Sequence, residues 1–209
     1  MAESLIADLD AFSGPELPTQ FRWHCEPSCW SVGGGHLHVK PDPQTDFWQR
    51  THYGFQADSG HFLYCEVSGD FVLTARVLFR PVHQFDQAGV MVRVSADCWL
   101  KSSVEFEPSG PNRLGAVVTN HGYSDWSTQD FPAEAGEVRL RIRREKDDYI
   151  VDASRDGAPW SQLRMAHLHD GSGAPVACGV YACSPRGEGF ACGFTDLSVT
   201  ANAPRALKA

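Results

Sequence analysis

The sequence predicts an all-β protein in which two antiparallel sheets pack face to face as a sandwich. Gly, Pro, Asn, Asp and Ser clusters recur about every 8 to 15 residues, and runs rich in β-branched and aromatic residues lie between them. Only residues 1–12 and 165–169 have helical character. A regular series of strands without helical crossovers is typical of a sandwich. We therefore expect one domain over residues 1–209, with a core at roughly residues 15–200.

Alternation and turns locate the individual strands. The odd-numbered residues from Phe71 to Phe79 are all apolar, so a strand there would direct them to the core. Asp156-Gly157, within residues 155–158, indicates a tight hairpin turn just before Trp160. Further strands are expected at residues 115–119, 138–144, 148–154, 176–182 and 190–200.

Residues 86–107 are the most informative part of the chain, because they predict a hairpin with one unusual face. Strict alternation in its second strand puts one mixed set on the first face: Trp99, Lys101, Ser103, Glu105 and Glu107. The other face carries Leu100, Ser102, Val104 and Phe106. We expect the second face in the core, so the first is either solvated or part of a site.

Composition restricts the classes of partner. The net charge is −8 and no basic run occurs, which argues against nucleic acids and anionic membranes. Arg139, Arg141 and Arg143 alternate on one strand face, which we interpret as a solvated face paired with carboxylates. No apolar run approaches the roughly 18 residues of a membrane helix. The first twelve residues lack the basic and apolar segments of a signal peptide.

The cysteines and histidines do not suggest a metal centre. Seven scattered cysteines are typical of free thiols in a reducing compartment, so we expect a cytoplasmic protein. Cys25 and Cys29 have no second close-spaced pair to complete a zinc site. Two imidazole pairs also lack nearby acidic or thiol partners, namely His36 with His38 and His167 with His169. We therefore predict neither a metal nor a cofactor.

An ordered set of short motifs resembles a known family. The motifs are Thr45-Asp46-Phe47-Trp48, Tyr53-Gly54-Phe55, Gly60-His61-Phe62, residues 86–93, Trp99-Leu100-Lys101, Glu105, residues 124–127, Asp156-Gly157, Ser184-Pro185 and Gly189-Phe190. Together they resemble family 1349 of the domains of unknown function over roughly residues 15–200. That family includes the fungal regulation of enolase protein and is similar to the C-terminal sandwich domain of some β-xylosidases. The resemblance implies a concanavalin A-like jelly roll, but no established reaction.

The residues themselves suggest a site for a carbohydrate or sugar-like ligand on the concave face of such a sandwich. Sugars need flat aromatic surfaces and planar polar groups that exchange hydrogen bonds with hydroxyls. Residues 124–127 are expected on a loop at the rim of the site. The candidate ligand-binding residues are Asp46, Trp48, His52, Tyr53, Asp86, Gln87, Trp99, Lys101, Glu105, Asp125, Trp126 and Arg143.

The same residues could instead have purely structural roles. Trp48, Trp99 and Trp126 are as easily core anchors as stacking platforms. Asp46 and Asp125 are also suited to capping turns through backbone N–H groups. Lys101 with Glu105 would form an ordinary ion pair on an exposed face.

Two other functions are open. If the chain is a glycoside hydrolase, Glu105 is the candidate general base or nucleophile, and we expect Lys101 to depress its pKa. The segment departs from the E-x-D-x-E pattern of sandwich glycosidases, because Ser103 replaces the first carboxylate. The resemblance also suggests an intracellular module that binds a cytosolic protein, with Tyr123 and Trp126 as docking residues.

Overall fold

The computed structural model describes residues 12–171 and 173–202, and these form sixteen β-strands. In chain order the strands are β1 (Arg22–His24), β2 (Cys29–Gly33), β3 (His36–Lys40), β4 (Phe47–Gln49), β5 (Gln56–Asp58), β6 (His61–Val67), β7 (Phe71–Arg80), β8 (Gln87–Ser95), β9 (Cys98–Glu105), β10 (Asn112–Asn120), β11 (Tyr123–Phe131), β12 (Glu137–Glu145), β13 (Asp148–Ser154), β14 (Ser161–His167), β15 (Val176–Cys183) and β16 (Ala191–Ala201).

The strands form two large sheets and one small one. The front sheet has the order β1-β6-β15-β8-β9-β10-β11, and the back sheet has the order β14-β13-β12-β7-β16-β3-β2. Strands β4 and β5 pair only with each other, and we call residues 47–58 the cover hairpin. All strand pairings are antiparallel. The fold is therefore a jelly-roll β-sandwich, as the sequence predicts.

The main core lies between the two large sheets. Strand β7 directs Phe71 to Phe79 inward at every second residue, and these side chains are buried while their neighbours are half-buried. From the front sheet, Leu100 and Val104 of β9 enter the same core. The predicted alternation of both strands is confirmed.

A second, smaller core lies on the other face of the front sheet. Its buried members are Phe47, Trp48, Phe62, Met91, Trp99, Val117, Tyr181 and Cys183. The first two come from the cover hairpin, and the rest project from the front sheet or its end. The cover hairpin is held to this face by Gln49, whose backbone N–H donates to Ser124 Oγ over 2.9 Å. The front sheet is therefore buried on both faces where the hairpin covers it.

The structure corrects two local predictions and leaves a third untested. Residues 165–167 belong to β14, which pairs with β13, because the segment supplies an edge strand rather than a helical turn. Residues 124–127 lie within strand β11 and pair with β10, so they are not a loop. The predicted helical segment at residues 1–12 lies, except for Phe12, outside the described residues.

Two general features complete the fold. No helix that could span a membrane occurs in residues 12–171 and 173–202. All seven cysteines are free, with Cys25 and Cys29 exposed and the others buried.

Candidate functional site

A pocket of about 460 Å³ lies where the cover hairpin meets the front sheet. We call it the hairpin pocket. Its lining residues are Gln44, Asp46, Trp48, Tyr53, Phe55, Gln56, Ala57, Phe85, Gln87, Lys101, Glu105, Trp126, Pro185 and Arg186. The volume is within the range of small-molecule sites, about 300–1,000 Å³.

Lys101 lies at the floor of this pocket and is almost fully buried, with 2% exposure. Its Nζ donates to Gln87 Oε1 over 2.8 Å, and Tyr181 OH donates to the same oxygen over 3.1 Å. Asp46 Oδ1 lies 3.6 Å from the ammonium nitrogen. An ammonium has three N–H donors, so Lys101, which lines the pocket, retains donor capacity beyond these two partners.

Glu105 ends strand β9 beside Lys101 and is only partly exposed. No side-chain hydrogen bond joins its carboxyl group to another residue in the described part of the chain. Burial raises its pKa from 4.5 to about 7, and Asp46 adds to this rise, while Lys101 opposes it. Lys101 lowers this pKa as expected, but desolvation outweighs the attraction, so the net change is a rise.

A carboxyl group of this kind can exchange a proton near neutral pH. It can donate a hydrogen bond when protonated and accept one when ionised. The expected general base or nucleophile would be ionised throughout the neutral range, whereas Glu105 is also suited to proton donation. Asp46 is the other carboxylate among the lining residues.

Aromatic side chains form the walls. Trp48 is nearly buried, and its indole N–H donates to the carbonyl of Thr51 over 3.1 Å. The Tyr53 ring packs against it with a centroid separation of 5.5 Å. Tyr53 and Phe55 are 57% and 46% exposed, so they lie at the mouth of the pocket. Trp126 projects from β11 and packs against the second core.

Local backbone geometry brings the cover hairpin over the pocket. Arg50, His52 and Gly54 have left-handed φ values of 52°, 61° and 72°, which allow a tight turn between β4 and β5. Arg50 also donates to the carbonyl of Gly122 over 2.9 Å. His52 lies exposed on this turn against Tyr53 and does not line the pocket.

The structure places Trp99 in the second core and not in the pocket. Its side chain has no exposed surface, and its indole N–H donates to the carbonyl of Ala96 over 3.1 Å. Phe47 packs over it with a centroid separation of 6.1 Å. A ligand therefore has no free face of Trp99 on which to stack.

Asp86 is likewise buried and fully occupied by the protein. One carboxylate oxygen accepts the backbone N–H groups of Val82 and His83, and the other accepts Ser184 Oγ–H over 2.6 Å. These contacts make Asp86 an anchor for two loops rather than a ligand-binding residue.

Three further acidic and basic candidates lie away from the pocket. Asp125 is on the opposite face of β11 from Trp126 and pairs with Arg164 at 2.9 Å. Arg143 is on the back sheet and bonds to Asp152 over 3.1 Å, so it does not border the site. Glu107 follows the end of β9.

Glu107 accepts hydrogen bonds from Gln84 and Ser109. Glu107 is not among the residues that line the pocket, so it does not form a carboxylate pair with Glu105 there. The arginine stripe is confirmed as a face paired with carboxylates, since Arg139 contacts Asp196 and Arg141 contacts Asp152.

Several lining residues were not among the sequence candidates. They are Gln44, Phe55, Gln56, Ala57, Phe85, Pro185 and Arg186. Most lie in loops, where alternation gives no information. Pro185 was noticed only as part of a family motif, and Arg186 directly follows that motif.

Metal-binding clusters are not found among residues 12–171 and 173–202: no three His, Cys, Asp or Glu side chains are arranged around a common point there. His36 and His38 stack at 5.4 Å between centroids. His169 stacks on His121 at 4.8 Å.

Comparisons with known proteins give the family. The family described as "Protein of unknown function (DUF1349)" matches residues 23–202. Regulation of enolase protein 1 of Saccharomyces cerevisiae is 35% identical over 189 residues, which cover 90% of this chain and 93% of that protein. A crystal structure of a functionally unknown protein from Saccharomyces cerevisiae has a TM-score of 0.83 at 34% identity, over 89% of this chain and 98% of that one.

The fold extends to larger enzymes. Xylan beta-1,4-xylosidase from Bacillus halodurans C-125 has a TM-score of 0.74 over 93% of this chain and 39% of that one, at 16% identity. At such identity the likeness shows the fold alone. The family match and the 35% identical relative together show that this chain belongs to the DUF1349 family.

Proposed function

We propose that the chain binds a small hydroxylated, sugar-like ligand in the hairpin pocket. The observation that carries this proposal is the floor of the pocket, where Lys101 and Glu105 lie beside Asp46 and Gln87. Burying an ammonium group costs several kcal/mol unless partners compensate, as a general estimate. Lys101 has one close hydrogen bond and a longer ion pair, which leaves room for another acceptor.

The walls support the same proposal. Hydroxylated ligands such as sugars carry apolar C–H faces as well as hydroxyl groups, and aromatic rings bind the former. Trp48 and Trp126 line the sides, and Tyr53 and Phe55 extend the aromatic surface to the mouth. An apolar wall around a few convergent polar groups is the usual composition of a small-molecule site.

A thermal-shift screen against mono- and oligosaccharides tests the proposal. A ligand that binds the native state raises the melting temperature, by several degrees at saturating concentration. We expect Lys101→Met and Glu105→Gln to reduce the shift, because the first removes the ammonium donors and the second replaces a carboxyl group by an amide that cannot carry charge. Glu107→Gln is the matched control, since Glu107 is bonded to Gln84 and Ser109 outside the pocket.

Two results would oppose the proposal. One is the absence of any shift across the sugar panel. The other is a shift that all three variants retain in full, which would place the ligand elsewhere on the protein.

A second candidate function is regulation of a cytosolic enzyme through protein contact. The 35% identical relative is named for the regulation of enolase. Of the five large apolar side chains exposed in the described residues, Tyr53 and Phe55 lie at the pocket mouth, and Tyr123 contacts Arg50 of the same hairpin. The free cysteines fit a cytoplasmic location, which we propose on this basis.

Adding the purified chain to enolase and measuring turnover tests this second candidate. A change in enolase rate that Tyr53→Ser and Phe55→Ser abolish would favour it. Met165→Ser, at an exposed apolar residue on the back sheet, is the control.

A further inference from the structure

One wall of the hairpin pocket is a short loop, residues 184–189, which we call the arginine loop. Its first residue is fixed twice: the backbone N–H of Ser184 donates to Thr45 Oγ1 over 3.1 Å, and Ser184 Oγ–H donates to buried Asp86 over 2.6 Å. The loop closes on itself where the Gly189 N–H donates back to Ser184 Oγ over 3.2 Å. Both ends are therefore anchored to the same buried hydroxyl.

The middle of the arginine loop is also tightly packed. A Cβ atom added to Gly187 would come within 2.2 Å of His83 Nδ1. Gly189 has a φ of +87°, and a Cβ there would meet the carbonyl oxygen of Pro41 at 2.2 Å. The left-handed φ and the backbone carbonyl therefore require glycine at Gly189, whereas a side chain at Gly187 would have to displace the His83 ring. The loop therefore holds a fixed backbone, and with it the starting point of the Arg186 side chain.

Arg186 lines the hairpin pocket but has no carboxylate partner within the described part of the chain. Its guanidinium carbon lies 5.8 Å from the centroid of the Phe85 ring, and the side chain is exposed. By contrast, Arg139, Arg141 and Arg143 are each paired with an aspartate. Other arginines of the described residues, such as Arg50 and Arg155, also lack a carboxylate partner, but Arg186 is the one that lines the hairpin pocket.

The lining of the pocket holds two cations and two carboxyl groups, and Arg186 is the cation that has no carboxylate of the described residues within 4 Å. At the floor, Lys101 Nζ lies 3.6 Å from Asp46 Oδ1, so the positive charge of the lysine and the negative charge of the aspartate form an ion pair. Lys101 also attracts Glu105 electrostatically, although the two form no ion pair within 4 Å. Arg186 is the other cation among the lining residues, on a different wall. A guanidinium group binds carboxylate and phosphate through paired N–H donors.

We propose that the ligand of the hairpin pocket is an anionic sugar derivative, with its carboxylate or phosphate bound by Arg186 and its hydroxyl groups at the floor. This rests on the proposed function, since it names the class of ligand for that same pocket. Arg186 is then the residue that selects for the anionic group, whereas Lys101 and Glu105 serve the hydroxyl groups.

Calorimetric titration with matched sugars tests the proposal. The probes are D-glucose, D-glucuronate and D-glucose 6-phosphate, with the corresponding galactose compounds. We expect at least one anionic member to bind roughly tenfold more tightly than its neutral parent, as hydrogen bonds to charged groups allow. Comparing carboxylate with phosphate identifies which anion the pocket takes.

Two arginine variants test whether Arg186 causes the preference for the anionic sugar. In Arg186→Gln the preference for the anion should disappear, while the melting temperature without ligand stays unchanged. Arg155→Gln is the control, because Arg155 is exposed in the β13–β14 turn and does not line the pocket. Raising the salt concentration should weaken the binding of the anionic sugar more than the binding of the neutral sugar.

The outcomes separate this proposal from the one it rests on. Equal binding of neutral and anionic sugars, with loss of both in Lys101→Met, would overturn the role of Arg186 and leave the sugar site in place. An anion preference that survives in Arg186→Gln would also overturn it. Binding of none of the probes would count against both.

Discussion

Glu105 is the carboxyl group of the hairpin pocket whose pKa the protein raises. It lies at the end of β9 among aromatic walls, and burial raises its pKa to about 7 in spite of Lys101. Between pH 4.5 and 7 the folded protein therefore holds a proton that the unfolded chain has lost. Stability falls as pH rises whenever the native state binds more protons.

We predict that the chain loses stability as pH rises from 5 to 8, by at most about 3 kcal/mol from this residue. In Glu105→Gln the free energy of unfolding should depend less steeply on pH, because glutamine does not titrate. Denaturant unfolding at several pH values measures both. An unchanged slope in the variant would show that Glu105 is not the group responsible.

Glu107→Gln is the control for the pH experiment. Hydrogen bonds from Gln84 and Ser109 lower the pKa of Glu107, so it is ionised in both states over this range. Its replacement should leave the slope between pH 5 and 8 as in the original chain.

Trp99 and Trp126 provide a second comparison between single residues. We predict that Trp99→Ala destabilises the protein by about 3–5 kcal/mol, since the side chain is fully buried in the second core. Trp126→Ala should cost less stability but weaken ligand binding by about 1–2 kcal/mol, because Trp126 lines the pocket.

Chemical denaturation and ligand titration of the two variants separate these effects. If Trp99→Ala left the unfolding midpoint unchanged, the second core would not be a stabilising unit. If Trp126→Ala bound ligand normally, the ring would not contact the ligand.

The sequence could predict which face of β9 each residue occupies, but not what covers that face. Alternation correctly separates Trp99, Lys101 and Glu105 from Leu100 and Val104. For Trp99, Lys101 and Glu105, alternation predicts only that they face either solvent or a binding site. The burial of Trp99 depends on Phe47, which is fifty-two positions earlier in the chain and contacts it only after folding.

The cover hairpin is the element that makes both the second core and the pocket. Gly60 follows β5, and a Cβ added there would lie 2.2 Å from the Phe47 ring and 2.6 Å from Cys183 Sγ. The hairpin can therefore lie close to the front sheet only because residue 60 has no side chain.

We predict that Gly60→Ala destabilises the protein by about 1–3 kcal/mol through overpacking and also weakens ligand binding. The reason is that the methyl group must displace Phe47 and, with it, the hairpin that carries Trp48. Unfolding and titration measure the two effects on one variant.

Gly110→Ala is the matched control, because a Cβ at Gly110 meets no atom within 4 Å. Gly110→Ala should change the free energy of unfolding by no more than about 0.5 kcal/mol, as most surface substitutions do. Similar losses in both variants would mean that the close approach at Gly60 is unimportant.

Strand-level patterns explain why some elements were predictable and others were not. Asp148–Ser154 and the turn at Asp156-Gly157 were identified from local sequence, since β-hairpins are specified by turn residues and alternation. Residues 124–127 resembled a polar loop because β11 is an edge strand with several exposed positions. The arginine loop has no periodic pattern, so Arg186 could be found only from the fold.

At the scale of the whole molecule, the two large sheets have different roles. The back sheet pairs its arginines with aspartates such as Asp152, so its charged face is accounted for by the protein itself. The front sheet carries a polar floor that the protein satisfies only in part. The family relationship and the likeness to sandwich domains fix the architecture, whereas the pocket carries the functional proposal.

The most direct test of the sugar-site proposal is a crystal structure of the protein with a sugar that raises its melting temperature. We predict the sugar in the hairpin pocket, with hydroxyl groups within hydrogen-bond distance of Lys101 Nζ and the Glu105 carboxyl group, and its ring against Trp126. A sugar bound elsewhere, with the hairpin pocket empty at saturating concentration, would contradict the proposal.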